Sequence, residues 1–413
     1  MERRRFINLS TAGTGALMTG SLIGPALDFT APEALKGSVK ISDLRKNTAI
    51  AMWDYSWILR HHRYGEFENW DAALEGLAER GYDSIRMDAM PQFVAAGADG
   101  AIQEEFRAVK NGWVPSVWGN EMTMSFRPRD ALLEFLPKCK EYGIKVGLAT
   151  WFMRHGTERK DIFMEEGGLL RAWKETLDFL DENHMLDDNL LYVDLLNEYP
   201  NWHGYDWLKN EMNKRADISQ FKLDHPEANV PDFDAEKEGG NPLQQRLYNG
   251  FISETIRGLK EDYPGLEFFA SLDSAMALDR IDLSDFSALD YHVWFAHTGQ
   301  IPGLEEVSSR NQALDYRQVY KGILQYWNEN RDSLIQWMDG RITDIAATAA
   351  KNNMVCGNTE GWGPIWWFDH PELDWKWVKE LFNFGRFTFG TNLSTIIYKF
   401  TDRSMLGLSL IHI

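Results

Sequence analysis

Between residues 48 and 400, short apolar runs alternate with longer amphipathic stretches, and that alternation constrains the fold more than any other feature of the chain. Strands separated by helices of this length pair in parallel, because the crossover returns each strand to the same edge of the sheet. Eight strand candidates can be read: Thr48–Trp53, Ser84–Asp88, Ile144–Thr150, Leu190–Leu196, Leu266–Ser271, Phe286–Val293, Asn353–Thr359 and Ser394–Phe400. Helical periodicity fills most of the gaps, over Trp70–Arg80, Pro128–Tyr142, Leu169–Asn183, Pro242–Tyr263, Tyr316–Asn352 with a break, and Leu373–Phe389. Gly81 and Gly143 stand where a helix needs a left-handed C-terminal cap before the next strand.

Eight such units predict an α/β fold, a closed (β/α)8 TIM barrel formed by residues 45–405 as one domain. An open doubly wound sheet is the competing arrangement, but no Gly-x-Gly-x-x-Gly turn follows the first strand. The long segments 97–127 and 199–240 follow strands two and four, on the side where a barrel carries its functional loops. The second is acidic and weakly periodic and reads as an elaborated loop. After Phe400 the chain is too short for a loop and a closing helix, so an incomplete eighth helix is expected. Residues 406–413 read as an irregular tail, from truncation or a gene-model artefact.

Residues 1–30 read as an export signal. Arg3-Arg4-Arg5-Phe6-Ile7 resembles a twin-arginine signal, and the weakly apolar stretch to Phe29 is too polar for a transmembrane helix. A periplasmic or extracellular location is therefore expected, with no integral membrane segment once the signal is removed. The net charge of −19 argues against a nucleic-acid partner. Two cysteines, Cys139 and Cys356, supply neither a disulfide scaffold nor a thiolate metal site, and both fall at packing positions. The adjacent His61-His62 cannot both face one metal from a strand, so no metal and no organic cofactor are expected.

Side chains alternate along a barrel strand, and the last inward-facing ones reach the mouth. In the strand-four candidate, Asp194 and Glu198 share the inward face; in strand seven, Cys356, Asn358 and Glu360 do. Two carboxyls at the ends of strands four and seven suit an acid/base and a nucleophile in one site. Arg86, at the inward end of strand two, is the candidate cation to hold Glu360 ionised. Asn197 can donate an amide hydrogen to a substrate hydroxyl. His292 lies on the parity of Asp290 and Trp294 and also reaches the mouth. Asp54, Asp88 and Asp273 end strands, where a carboxylate either binds sugar hydroxyls or caps the next helix.

Asn197-Glu198 after an apolar strand, Arg86, His292 and the distant Glu360 resemble the clan A glycoside hydrolases, in particular the cellulase-like family. The resemblance covers about Thr48 to Phe400. It implies a retaining glycosidase acting on β-linked glycans or glycosides, with Glu198 as acid/base and Glu360 as nucleophile. A carbohydrate is then the expected partner, and a non-catalytic carbohydrate-binding protein or a transglycosylase are the alternatives. Members of that clan commonly carry a Trp at the end of strand eight, and Ser394–Ser404 contains none. Trp362, Trp366 or Trp367 are candidates to replace it. The 17 Trp of the chain also supply Trp53, Trp57, Trp151, Trp202 and Trp294 near strand ends as stacking platforms for sugar faces.

Overall fold

The computed structural model describes residues 48, 50–109, 122–157, 159–228, 230, 240–273, 276–294, 316–361 and 376–377. The chain divides into two units, Met1–Leu35 and Lys36–Ile413, and all described residues belong to the second. The export segment, the strand candidate Ser394–Phe400, residues 406–413, Trp362, Trp366 and Trp367 lie outside the described residues.

Five strands form one parallel sheet in the order β1 (Ile50–Asp54), β2 (Ser84–Asp88), β5 (Lys145–Ala149), β6 (Leu190–Asp194) and β7 (Phe268–Phe269). β8 (Ala288–Asp290) and β9 (Val355–Gly357) pair in parallel with each other. A parallel bridge from Leu272 to Tyr291 continues the β7 edge onto β8. Backbone bonds from Leu272 N–H to the Asp290 carbonyl and from His292 N–H to the Leu272 carbonyl close that step at 2.9 and 2.7 Å. The strands of these two sheets thus follow one another in chain order, all parallel, which is the succession of a (β/α)8 barrel. Every residue of β1, β2 and β6 is buried, as expected of strands covered by helices on one face and by the barrel interior on the other.

The helices that cover the strands carry their apolar residues at helical spacing. α2 (Trp70–Glu79) starts at Asn69, whose side chain accepts the Ala72 N–H at 3.1 Å. It ends in Gly81 with φ of +85°, and α4 (Pro128–Glu141) is followed by Gly143 with φ of +69°. After α4, the Ile144 N–H returns to the Cys139 carbonyl at 2.8 Å, the closing bond of a glycine-capped helix, so both predicted caps are present. α6 (Gly168–Glu182) buries Leu169, Ala172, Trp173, Thr176, Leu177 and Leu180 along one stripe. Cys139 and Cys356 are free and buried.

One local expectation is corrected and two long segments gain detail. The helix over Tyr316–Lys351 has no break: Leu334, Met338, Ile342, Ile345 and Ala349 continue one buried stripe through it, and a Cβ at Gly340 would meet nothing within 4 Å. A single glycine costs a helix about 1 kcal/mol and does not end it. The elaborated loop after β6 carries α7 (Asp206–Lys214) and α8 (Ile218–Asp224), α8 starting at Asp217, whose carboxylate accepts the Gln220 N–H. The segment after β2 folds into α3 (Pro91–Val94) and an antiparallel pair, β3 (Phe106–Ala108) with β4 (Met124–Phe126).

Candidate active site

At the carboxyl ends of the strands, a polar cluster is assembled around two buried cations. Arg86 sits in the middle of β2 and is fully buried. Its Nη1 lies 2.5 Å from both Asp54 Oδ1 and Glu360 Oε1, and its Nη2 donates to Asp194 Oδ2 at 2.9 Å and to the Asn197 side-chain oxygen. One guanidinium therefore ties together strands one, two, four and seven of the barrel. Burial works against its charge, but the carboxylates of Glu360, Asp54 and Asp194 more than restore it and raise its pKa further.

Glu198 is delivered by an extension of β6. Past Asp194 the chain still bonds alternately to its neighbours: Leu195 N–H to the Phe269 carbonyl, Asn197 N–H to Thr150, and Tyr199 N–H to Ser271, at 2.7 to 2.8 Å. Glu198 itself has φ of +45°, a left-handed conformation that costs a side-chain-bearing residue energy and is held by its surroundings. Its N–H is received by Ser271 Oγ at 3.2 Å. The turn brings both Asn197 and Glu198 into the mouth, although alternation alone would send them to opposite faces.

His292 is the second cation. Its Nδ1 lies 3.2 Å from Glu198 Oε1 and 3.7 Å from Glu360 Oε2. Its Nε2 lies 3.1 Å from Thr359 Oγ1 and 3.6 Å from Asp290 Oδ2. Thr359 Oγ1 has one proton, which it gives to Asp290 Oδ2 at 2.5 Å, so it must accept from His292 Nε2–H. With the other ring nitrogen against two carboxylates, the imidazole is held as a cation. Burial opposes that charge, yet Glu360, Asp290 and Glu198 together raise the His292 pKa well above its ordinary value. Asp290, in turn, is lowered despite its burial by His292, Thr359 and Arg86.

The nearest oxygens and nitrogen of Glu198, His292 and Glu360 all lie within 4.8 Å of one another. Such a trio has the donor types of a metal site, but an imidazolium has no lone pair to give, so the arrangement suits a carboxylate pair bridged by a cation. Trp294 Nε1–H also donates to Glu198 Oε1, at 3.2 Å, leaving Oε2 as the oxygen without those two donors. Opposing influences meet on Glu360: burial and the neighbouring Asp54 charge push its pKa up, while Arg86 and His292 pull it down.

Of the residues singled out in the sequence, Arg86, Asn197, Glu198, His292, Trp294, Glu360 and Asp54 meet here. Trp151 borders the cluster: its side chain lowers the Asp54 pKa as a hydrogen-bond partner, and its backbone N–H donates to Asp88 Oδ2 at 2.7 Å. Trp53 does not belong. Its ring lies edge-on to Phe67 at 4.8 Å and against Phe135 of α4 at 6.1 Å, on the helix side of β1, because it precedes the inward Asp54 by one residue. Trp57 likewise stacks on Phe135. Asp88 and Asp273 serve their own backbone, accepting the Met90 and Met276 N–H groups. Trp202 follows Glu198 in the chain and is about half exposed. Thr359 and Ser271 escaped the sequence reading, since a lone hydroxyl beside a strand end carries no spacing signal.

A family model described as sugar-binding cellulase-like matches residues 50–392. The chain belongs to this cellulase-like family. Among solved structures it is similar to a candidate glycoside hydrolase from Parabacteroides distasonis, with 27% identity, a TM-score of 0.64 and 86% of each chain covered. An endo-1,4-β-D-mannanase from Thermotoga petrophila has 12% identity and a TM-score of 0.45, over 84% of this chain and 87% of that one. A cellulose synthase subunit Z from Clostridioides difficile has 12% identity and a TM-score of 0.46, over 86% and 93%. The last two similarities are too remote to bear on activity. No curated protein matches. Among the described residues, no helix is long and apolar enough to cross a membrane.

Proposed function

We propose that this member of the cellulase-like family is a retaining glycoside hydrolase of β-linked glycans or glycosides, with Glu198 as acid/base and Glu360 as nucleophile. The observation that carries the reading is the closeness of the two carboxyls, whose oxygens approach within 4.8 Å with His292 between them. Retention through a glycosyl-enzyme needs carboxyl groups roughly 5 to 5.5 Å apart, whereas inversion needs room for a water molecule between carboxyl and sugar.

In the first step Glu360, ionised, attacks the anomeric carbon while Glu198 gives its proton to the departing oxygen. The C–O bond to the leaving group breaks as the ester to Glu360 forms. Glu198 then removes a proton from water, which attacks the same carbon and releases Glu360. His292 Nδ1 and Trp294 Nε1 hold Glu198 Oε1 and so direct its other oxygen to the leaving group. Asn197 turns its oxygen to Arg86, and its amide nitrogen, buried and without a partner among the described residues, is available to the sugar hydroxyl next to the reacting carbon. Trp151 and Trp294 are the platforms for the sugar face, and the twin-arginine-like start supports action outside the cytoplasm.

The test is a panel of aryl β-glycosides and β-linked polysaccharides, with the anomeric configuration of the first-formed product followed by proton NMR. Hydrolysis giving the β-anomer first is expected. An α-anomer would remove the nucleophile role of Glu360, and sugar binding without turnover across the panel would turn the reading to a carbohydrate-binding protein.

A further inference from the structure

Asp54 is placed with unusual care for a residue that the two-glutamate chemistry does not require. It ends β1 with φ of +41°, and the pairing of β1 with β2 slips between Met52 and Asp54 to bring it in. Left-handed backbone at a residue with a side chain, together with a strand irregularity, is the kind of local strain that collects at functional positions. The side chain it orients is fully buried and spends one oxygen on the same Arg86 nitrogen that serves Glu360, both at 2.5 Å.

We propose that Asp54 is a positioning residue for Glu360: its carboxylate competes for Arg86 Nη1 and thereby sets how much of the guanidinium charge reaches the nucleophile. This rests on the reading of Glu360 as nucleophile. Arg86 carries one positive charge and faces three carboxylates, Asp54, Asp194 and Glu360, and the second cation of the cluster, His292, is shared with Asp290 and Glu198. Five buried acids thus divide two cations, and the acids nearest the nucleophile decide its ionisation. The groups acting on Asp54 are Arg86 of β2, Trp151 after β5, Asp194 of β6 and His292 after β8, and Tyr55, Asp88 and Tyr192 lie close enough to feel its charge or lend theirs. Those acting on Glu360 are Asp54, Arg86, His292 and Glu198.

Burial raises Asp54, and burial and then Asp54 raise Glu360. Removing the Asp54 charge lowers the pKa of Glu360, because the charge at Arg86 Nη1 is then no longer divided between two carboxylates. A more tightly held carboxylate is also a weaker nucleophile. Asp54 in this role tunes the acid side of the pH profile and trades nucleophilicity against ionisation, which a ligand for sugar hydroxyls does not do.

The experiment compares the full chain with Asp54→Asn, which keeps the shape and the acceptor oxygen. The acid limb of kcat/KM against pH is expected to move down by roughly one pH unit, with kcat at the plateau lowered several-fold and KM little changed. In parallel, the 13C carboxyl signal of Glu360, assigned by its disappearance in Glu360→Gln, should titrate at lower pH in Asp54→Asn. An active wild type with an unmoved acid limb and a raised KM in the variant would overturn the proposal and make Asp54 a sugar ligand. If the wild type hydrolyses nothing, the nucleophile reading falls, and the 13C titration still decides whether Asp54 governs Glu360. Should Asp54→Asn fail to fold, as judged by its melting curve, the smaller uncharged Asp54→Ser carries the same expected shift.

Discussion

Arg86 and His292 are both buried cations at the barrel mouth, and both touch Glu360, but their charges are of different kinds. The guanidinium is charged at every working pH and is fixed in one plane, so its four acceptors, Asp54, Glu360, Asp194 and Asn197, are positioned by its geometry. The imidazole is charged only because Asp290, through Thr359, and the two glutamates make it so. One region is a permanent scaffold for Glu360. The other is a conditional link between Glu360 and Glu198, and it weakens as pH rises. Under the proposed mechanism, which needs one carboxylate ionised and the other protonated, the division helps, since a second permanent cation near Glu198 would disfavour its protonated form.

The division breaks most severely at the group that both regions share. Glu360→Ala should lower kcat on the order of 10⁴-fold or more, and azide should restore turnover with an inverted product. A variant within tenfold of wild type would remove the proposed nucleophile role from Glu360. Next comes the scaffold: Arg86→Lys keeps the charge and loses the planar fork, and an ammonium cannot serve four acceptors from two positions. A loss of roughly 10²-fold in kcat/KM is expected, with folding retained as judged by circular dichroism. Full activity in Arg86→Lys would reduce Arg86 to a point charge.

The conditional link should respond more mildly and with a pH signature. Asp290→Asn removes a carboxylate that raises the His292 pKa, so the imidazole should lose its proton at lower pH, which NMR of the ring reads directly, and activity should fall roughly tenfold. For stability the signs are opposite for the two partners. His292, raised on folding, stabilises fully below its unfolded pKa and loses that contribution as pH climbs through the folded value. Asp290, lowered on folding, stabilises above its unfolded pKa and loses its contribution as pH falls toward the folded one. The melting-temperature gap between wild type and Asp290→Asn should therefore be widest in mildly acidic solution and shrink toward alkaline pH. A gap independent of pH would separate Asp290 from the His292 charge.

How much of each region the sequence displays follows from backbone regularity. Along strand six, Asp290, His292 and Trp294 alternate as a strand should, and all three reach the cluster from the parity at which they were read. Strand order, the caps at Gly81 and Gly143, and the pairing of Glu198 with Glu360 were also legible, because they depend on period and punctuation. What was hidden begins where the strands stop being regular. Left-handed φ at Glu198 lets the adjacent Asn197 and Glu198 share the mouth, a second one stands at Asp54, and nothing in a side-chain-bearing residue advertises such a turn. The competition between Asp54 and Glu360 for one nitrogen was likewise invisible, since it depends on residues 306 positions apart meeting through a third, Arg86.

Trp53 gives the smallest expected effect on activity and marks where both regions end. Alternation already assigns it to the face opposite Asp54, and its ring fills the space between β1 and α4 with Phe67 and Phe135 rather than lining the mouth. Trp53→Phe should leave kcat/KM within about twofold, because no atom of the cluster loses a partner. It should cost about 1 to 2 kcal/mol of stability, from the volume lost among closely packed rings, measured by denaturant unfolding at constant slope. A large rise in KM with unchanged stability would put the ring in contact with sugar and reverse the assignment of the β1 faces. Asp54 could not then keep its place on Arg86 without a change in the slip that spans Trp53, between Met52 and Asp54. The same measurement therefore tests the slip that brings Asp54 into the scaffold region.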